Sequence, residues 1–261
     1  MRLASREWPG RPSADIKLSS GGVVLARCDC SAEMENPVQL ERMDSGSLSQ
    51  RAYGILREGL IAGRFRPGQR FLMKELAEQL GTSITPVREA CMRLVSERGL
   101  ELHSGRFVLV PALSLSRYLE VRTIRLALEG LAVELAAGKA NPGDITRLEK
   151  LHAKFAAAVA GGKSEASIQT NREFHFAVYG LAGMDMLAAH IEELWMAMGP
   201  ILNVFYNDVR SGYAGEEHLA VIEALRRNDG ARARTSMRED IMKGGESIAA
   251  YLKEHELAAS A

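Results

Sequence analysis

The stretch from Leu72 to Val110, LMKELAEQLGTSITPVREACMRLVSERGLELHSGRFVLV, constrains this chain more than any other. Leu72, Leu76, Ala77 and Leu80 fall at helical spacing, as do Val87, Ala90, Leu94 and Val95, so two short helices with one apolar face each are predicted. Gly81-Thr82-Ser83 separates them. The glycine closes the first, and Thr82 or Ser83 caps the second. Pro86 sits in the first turn, where its missing N–H removes no helical bond. Gly99 is expected to end this helix. Leu100–His103 and Arg106–Val110 then read as a hairpin about Ser104-Gly105, with Pro111 as the stop. Helix, tight turn, helix and hairpin make the layout of a winged helix-turn-helix, which sets its second helix in the DNA major groove.

A formal net charge of zero argues at first against a nucleic-acid partner. The distribution of that charge points the other way. Residues 47–113 hold ten Lys and Arg against six acids, a net of +4, whereas the chain from Ser114 onward holds seventeen against twenty, a net of −3. A basic module joined to an acidic one suits a DNA-reading head on a body that stays off DNA. The longest apolar runs, such as Ala156–Ala160, fall far short of the ~20 residues of a membrane span. Arg2 and Arg6 lead into Trp8-Pro9-Gly10 rather than an apolar signal core, so a cytoplasmic protein is expected. Cys28, Cys30 and Cys91 suggest no disulfide framework and read as free thiols.

Three domains are expected. Residues 1–46 lack any sustained period and read as a disordered arm or an overlong gene start, since Met34 or Met43 would each begin the chain just ahead of the first helix. Residues 47–113 make the winged head. Its first helix carries Tyr53, Ile55, Leu56, Leu60 and Ile61 and ends at Gly63. Residues 114–258 are helical throughout, with breaks at Asn141-Pro142-Gly143, Gly161-Gly162, Gly183, Gly199-Pro200, Ser211-Gly212 and Asn228-Asp229-Gly230. They predict an all-α bundle of six or seven helices, with Asp144 and Asp229 as helix caps. The fold class is therefore mainly α.

Gly63-Arg64-Phe65-Arg66-Pro67-Gly68, Leu76-Ala77-Glu78-Gln79-Leu80-Gly81, Thr85-Pro86-Val87-Arg88-Glu89-Ala90 and Arg98-Gly99-Leu100 resemble the GntR family of bacterial transcription regulators. The resemblance implies that the third helix is the recognition helix. Ser83, Thr85 and Arg88 would then face DNA, with Lys74 on the preceding helix and Ser104 and Gly105 at the wing tip. The chemistry agrees, because Ser and Thr at a helix N-terminus suit phosphates and Arg takes guanine bidentately. Ile84 stands where the family often has an arginine, so operator preference is not carried over. Taken alone, Arg88 would read as a surface ion-pair partner, for instance of Glu97.

The helical remainder resembles the FCD type of ligand-binding domain over Leu119 to about Ile241, through Glu120-Val121-Arg122, Leu128-Glu129, Phe174-His175, Glu217-His218 and the run Ala224–Met237. The resemblance implies a divalent metal (zinc, nickel or manganese) at Asn171, His175, His218 and Asp240. Asn here replaces the family's Asp, and Asp replaces its third His, so the carboxylate has crossed the site while total ligand charge is unchanged. Asn171 and His175 lie at i and i+4, on one helical face. Two His and one Asp hold a divalent ion with positions left open, and Asn is a weak fourth donor. Without the resemblance, His175 between Phe174 and Phe176 reads as a core histidine and Asp240 as a solvated acid. Arg122, a cation on an apolar helix, reads as an ion-pair partner of Glu129 or Glu120, or as the clamp of a carboxylate effector. Trp195, Met196, Met198, Phe205 and Tyr206 read as core or dimer contact rather than an aromatic binding box.

The leading expectation is a homodimeric transcription regulator, a repressor of a metabolic operon. It would bind double-stranded DNA at a palindromic operator and release it to a small organic-acid or sugar-acid effector. Two alternatives belong to other classes. A metal-dependent enzyme would use the two-His-one-carboxylate set, but no acid–base pair or nucleophile stands beside it and no phosphate loop is present. An architectural DNA binder without effector fits poorly with a neutral chain.

Overall fold

The computed structural model describes residues 48–206 and 215–259. The arm at 1–46, with Cys28 and Cys30, lies outside the described residues. The elements in chain order are α1 (Leu48–Ile61), β1 (Arg70–Leu72), α2 (Met73–Gln79), α3 (Ile84–Ser96), β2 (Glu101–Ser104), β3 (Phe107–Leu109), α4 (Leu115–Ala137), α5 (Pro142–Ala160), α6 (Ser164–Leu181), α7 (Asp185–Val204), α8 (Glu216–Arg226) and α9 (Gly230–Ala259).

In the head, Leu56, Leu60, Val87, Cys91 and Leu94 are buried between α1 and α3. Burial holds the Cys91 thiol up at about 11. Gly63 and Gly81 end their helices with positive φ. At the end of α3 the positive φ falls on Arg98 instead of Gly99. Gly99 serves a different purpose: a Cβ there would stand 2.8 Å from Met196 Sδ, so its lack of a side chain lets α7 approach. The hairpin gains a third strand that the sequence pattern concealed. β1 pairs antiparallel with β3, Phe71 opposite Val108, and β3 pairs with β2, Leu102 opposite Val108. Three residues are too few to show an alternating period.

The body is a bundle of six helices among the described residues. α4 lies antiparallel along α9, tied by Tyr118 Oη donating to Gly245 O (2.9 Å) and by Arg234 to Glu134 (2.8 Å). Asn141, not Asp144, is the N-cap of α5. Asp144 sits three residues on and closes a capping box with the Asn141 backbone. Asp229 caps α9 as expected, accepting from Arg232 N.

The expected break at Gly199-Pro200 does not occur, and α7 runs through it. Packing outweighs the roughly 3 kcal/mol that an interior proline costs. Gly199 and Pro200 are both buried, and a Cβ on Gly199 would lie 1.8 Å from the Leu60 carbonyl oxygen. α7 is thereby seated directly on α1. Asn203 Nδ2 donates to Gly63 O (2.6 Å), Arg57 pairs with Glu192 (2.9 Å), and Arg172 grips Glu58 with both guanidinium nitrogens.

Candidate functional site

Two groups of residues carry chemistry, one exposed on the head and one buried in the body. On the head, α2 and α3 meet at the turn that Gly81 permits. Ser83 takes the N-cap position of α3 with its side chain making no cap bond. Its hydroxyl is therefore not used by the helix. Ser83, Thr85 and Arg88 are all exposed, and Lys74 on α2 is 79% exposed, with only Glu78 at 3.9 Å as a loose partner. The ion pair suggested between Arg88 and Glu97 does not form. Glu97 is held by Arg93 (3.0 Å) and by the Tyr53 hydroxyl (2.7 Å), and Arg88 makes no ion pair among the described residues. A Cβ on Gly105 would stand 3.9 Å from Arg88 Nη1, so the wing tip comes down beside the middle of α3. Met73 N donates to Arg106 O (3.1 Å) and holds the wing against α2. Ser104 closes β2; its side chain lies outside the described residues. Ile84 is 42% exposed on the same face, an apolar side chain where the resembled family often has an arginine.

In the body, α6, α8 and α9 bring together His175, His218 and Asp240. His175 Nε2 lies 3.3 Å from Asp240 Oδ2, and His218 Nε2 lies 3.4 Å from Asp240 Oδ1. One ligand atom from each falls within 4.8 Å of the others, and all three residues are buried. Burial depresses both histidines. His218 falls to about 3, helped by His152, and His175 falls well below the ordinary value, helped by His218 and Arg125. Both rings are therefore neutral, the form that ligates. His218 is fully buried and neither ring nitrogen makes a hydrogen bond; Nε2 has only the Asp240 contact at 3.4 Å, and Nδ1 has none. A buried imidazole without a hydrogen bond costs free energy unless something accepts its lone pair. Two neutral imidazoles and a carboxylate fit a borderline divalent cation. Asn171, one turn before His175, lines a small chamber together with His175 and Asp240, while His218 stands behind Asp240 and does not line it.

The chamber is also lined by Tyr118, Arg125, Trp195, Phe205 and Tyr206. Arg122 does not line it. The α-helical register explains the exchange: Arg125 and Glu129 are i and i+4 and pair at 2.6 Å, whereas Arg122 is seven residues from Glu129 and lies over the Tyr118 ring at 5.5 Å. Glu120 is taken by Arg117 (2.6 Å). Arg125 is therefore the cation beside the histidines, its side chain 12% exposed and stacked 5.0 Å from the Trp195 ring. Trp195, Met196 and Met198 are core as expected, although Trp195, Phe205 and Tyr206 also wall the chamber. His152 on α5, not singled out by the sequence, places its ring 5.6 Å from His218.

The chamber's free volume is about 50 Å³. A water needs about 10–15 Å³ of such space, so there is room for an ion and a few waters. Two larger grooves, about 930 and 850 Å³, open where the head meets the body, one against α1, α5 and α6 and the other between the wing, α4 and α7. Neither contains the His175, His218 and Asp240 group. No helix among the described residues is long and apolar enough to cross a membrane.

Comparison with known proteins agrees with both halves. Residues 48–110 match the bacterial regulatory proteins of the gntR family, and residues 120–242 match the FCD domain. The HTH-type transcriptional regulator McbR of Escherichia coli K12 is 39% identical over 168 residues, covering 64% of this chain and 76% of that protein. A probable D-xylose utilization operon transcriptional repressor of Paenarthrobacter nicotinovorans is 31% identical over 175 residues, 65% of this chain and 75% of that protein. The solved structure of E. coli McbR/YncC superposes with a TM-score of 0.74 at 34% identity, covering 81% of this chain and 99% of that one. A regulator from Rhodococcus sp. RHA1 shares the fold at a TM-score of 0.64 and 22% identity, over 78% of this chain and 98% of that one.

Proposed function

Since this chain belongs to the gntR family of bacterial regulatory proteins and carries an FCD domain behind its winged head, we propose that it represses a metabolic operon as a homodimer on a palindromic operator and lets go when a small carboxylate binds in the body. It is a transcription regulator and not an enzyme, as its relatives are. The observation that carries the DNA assignment is the placement of Arg88. It is an exposed guanidinium without an ion-pair partner among the described residues, in mid-helix, with the wing tip at Gly105 beside it. Ser83 and Thr85 would take phosphate at the helix N-terminus and Lys74 the adjacent backbone, while Arg88 and the Ser104–Gly105 tip reach the grooves.

For the dimer, support comes from α4. Ile124, Leu131 and Leu135 are 40, 38 and 37% exposed on one side of a helix whose other side is core. A helix apolar on both sides calls for a second cover, which a second copy would supply.

For the metal, support comes from the buried ring of His218, which makes no hydrogen bond, and its convergence with His175 and Asp240. Asn171 would be a weak fourth donor. The effector carboxylate would take the open coordination positions, with Arg125 rather than Arg122 as its cationic partner. A chamber of about 50 Å³ is smaller than such a ligand, so binding would spread α4, α6 and α9. α7 is walled into the chamber through Trp195 and seated on the head through Gly199 and Asn203, so spreading would be felt at α1.

Arg88→Ala tests the reading surface. Binding to an operator selected from genomic fragments should weaken by about 1–3 kcal/mol, while the fold and the oligomer persist. Unchanged affinity at physiological salt would remove Arg88 from the interface.

A further inference from the structure

We propose that Glu129 is a positioning residue for the metal ligand His175, acting through Tyr179 to fix which nitrogen of the imidazole carries its proton. This rests on reading His175, His218 and Asp240 as a metal site.

Glu129 is fully buried, and each of its oxygens receives two donors. Oε1 accepts from Arg125 Nε at 2.6 Å and from Trp195 Nε1 at 3.1 Å. Oε2 accepts from an Arg125 Nη at 3.3 Å and from the Tyr179 hydroxyl. Guanidinium and indole nitrogens only donate, so the group is held as an acceptor at every contact. Tyr179 has one hydroxyl proton to give. The carboxylate oxygen takes it, because a charged acceptor outcompetes both the Met237 thioether at 3.6 Å and a neutral imidazole nitrogen. The Tyr179 oxygen is left as an acceptor, and the group 2.9 Å from it is His175 Nδ1. A neutral imidazole has a single proton, so here it sits on Nδ1. Nε2 is then a bare lone pair, on the side where Asp240 Oδ2 lies at 3.3 Å. A metal needs that lone pair, and a hydrogen bond from the far nitrogen fixes both tautomer and ring angle.

Packing alone does not account for these residues. A buried ion pair such as Arg125–Glu129 adds little stability over apolar side chains of the same volume. Its polarity has a use only if it sets the polarity of the next group along. Glu129 on α4, Tyr179 and His175 on α6, and Trp195 on α7 thus form one set of hydrogen bonds ending at His175 Nδ1, the nitrogen opposite the ligating Nε2.

The test uses the full chain with ¹⁵N-labelled histidine, stripped of metal, with the His175 signals assigned by their loss in His175→Gln. The expected pattern is a protonated Nδ1 and a bare Nε2. In Glu129→Gln the amide oxygen can keep Arg125 Nε and Trp195 while its N–H₂ faces Tyr179 and gives up the longer Arg125 Nη contact. The hydroxyl then turns to donate to Nδ1, and the proton moves to Nε2. Zn²⁺ affinity, read by competition with a chromophoric chelator, should fall about 10- to 100-fold. If Glu129→Gln does not fold, Tyr179→Phe should weaken Zn²⁺ by the same route. A wild-type ring with its proton on Nε2, or unchanged Zn²⁺ affinity in whichever variant folds, would overturn the role of Glu129. A wild-type chain that shows the Nδ1 proton and yet binds no Zn²⁺ would overturn the metal reading instead.

Discussion

The proposed reading face of the head and the proposed metal site of the body hold their side chains under opposite conditions. Lys74, Ser83, Thr85 and Arg88 stand in solvent, with one loose contact between Lys74 and Glu78. His175, His218, Glu129 and Asp240 are each at most 5% exposed, and all four lie on a continuous set of polar contacts that passes through Tyr179. A face that meets DNA has its partners supplied from outside, so each residue acts nearly alone. A chamber that holds an ion must satisfy every polar group from within, so its residues act as a unit. Changes on the head should therefore move binding without stability, and changes in the body should move both.

Glu129→Ala should give the largest effect. It strands the Arg125 guanidinium and leaves the Tyr179 and Trp195 donors without their acceptor, at about 3–5 kcal/mol of unfolding free energy. Chemical denaturation checks it, and a loss under about 1 kcal/mol would show that the chamber is not coupled in this way. Gly199→Ala comes next. The new methyl meets the Leu60 carbonyl oxygen at 1.8 Å, a backbone atom that cannot swing aside, so α1 must move off α7. About 1–3 kcal/mol of overpacking is expected in the same measurement. Wild-type stability would mean that α1 and α7 are not fixed to each other. Lys74→Ala should be the mildest. Stability should stay within about 0.5 kcal/mol, and operator affinity should fall evenly across sequences, with the salt slope reduced by about one. An altered sequence preference would place Lys74 on a base instead of a phosphate.

The same contrast decides how much can be read from the chain itself. The head is legible because its turn chemistry is contiguous: Gly63, Gly81, Pro86 and Ser83 each mark their own boundary within a few residues. β1 is hidden because Arg70–Leu72 is too short to show a period, and Arg98 takes the left-handed position that suits Gly99 better. The His175, His218 and Asp240 cluster is assembled from residues up to 65 positions apart, and only the family resemblance connects them in the sequence. Glu129 belongs to that resemblance and is expected from the sequence only as a partner of Arg122, whereas it pairs with Arg125. The signal that points to it is Arg125 and Glu129 at i and i+4, flanking the apolar run Leu126-Ala127-Leu128, a spacing that lets a buried acid meet its base. The same register favours Arg125 over Arg122. Pro200 misleads because a proline break is a local rule, and the contact that overrides it is with Leu60, about 140 residues away.

Whether the chamber holds an ion is the claim on which control of the head depends, and elemental analysis of the full chain purified without chelator measures it directly. About one divalent ion per chain is expected in the wild type and none in His218→Ala, with the variant still folded and still able to bind operator DNA. A metal-free wild type, or full occupancy in His218→Ala, would contradict it.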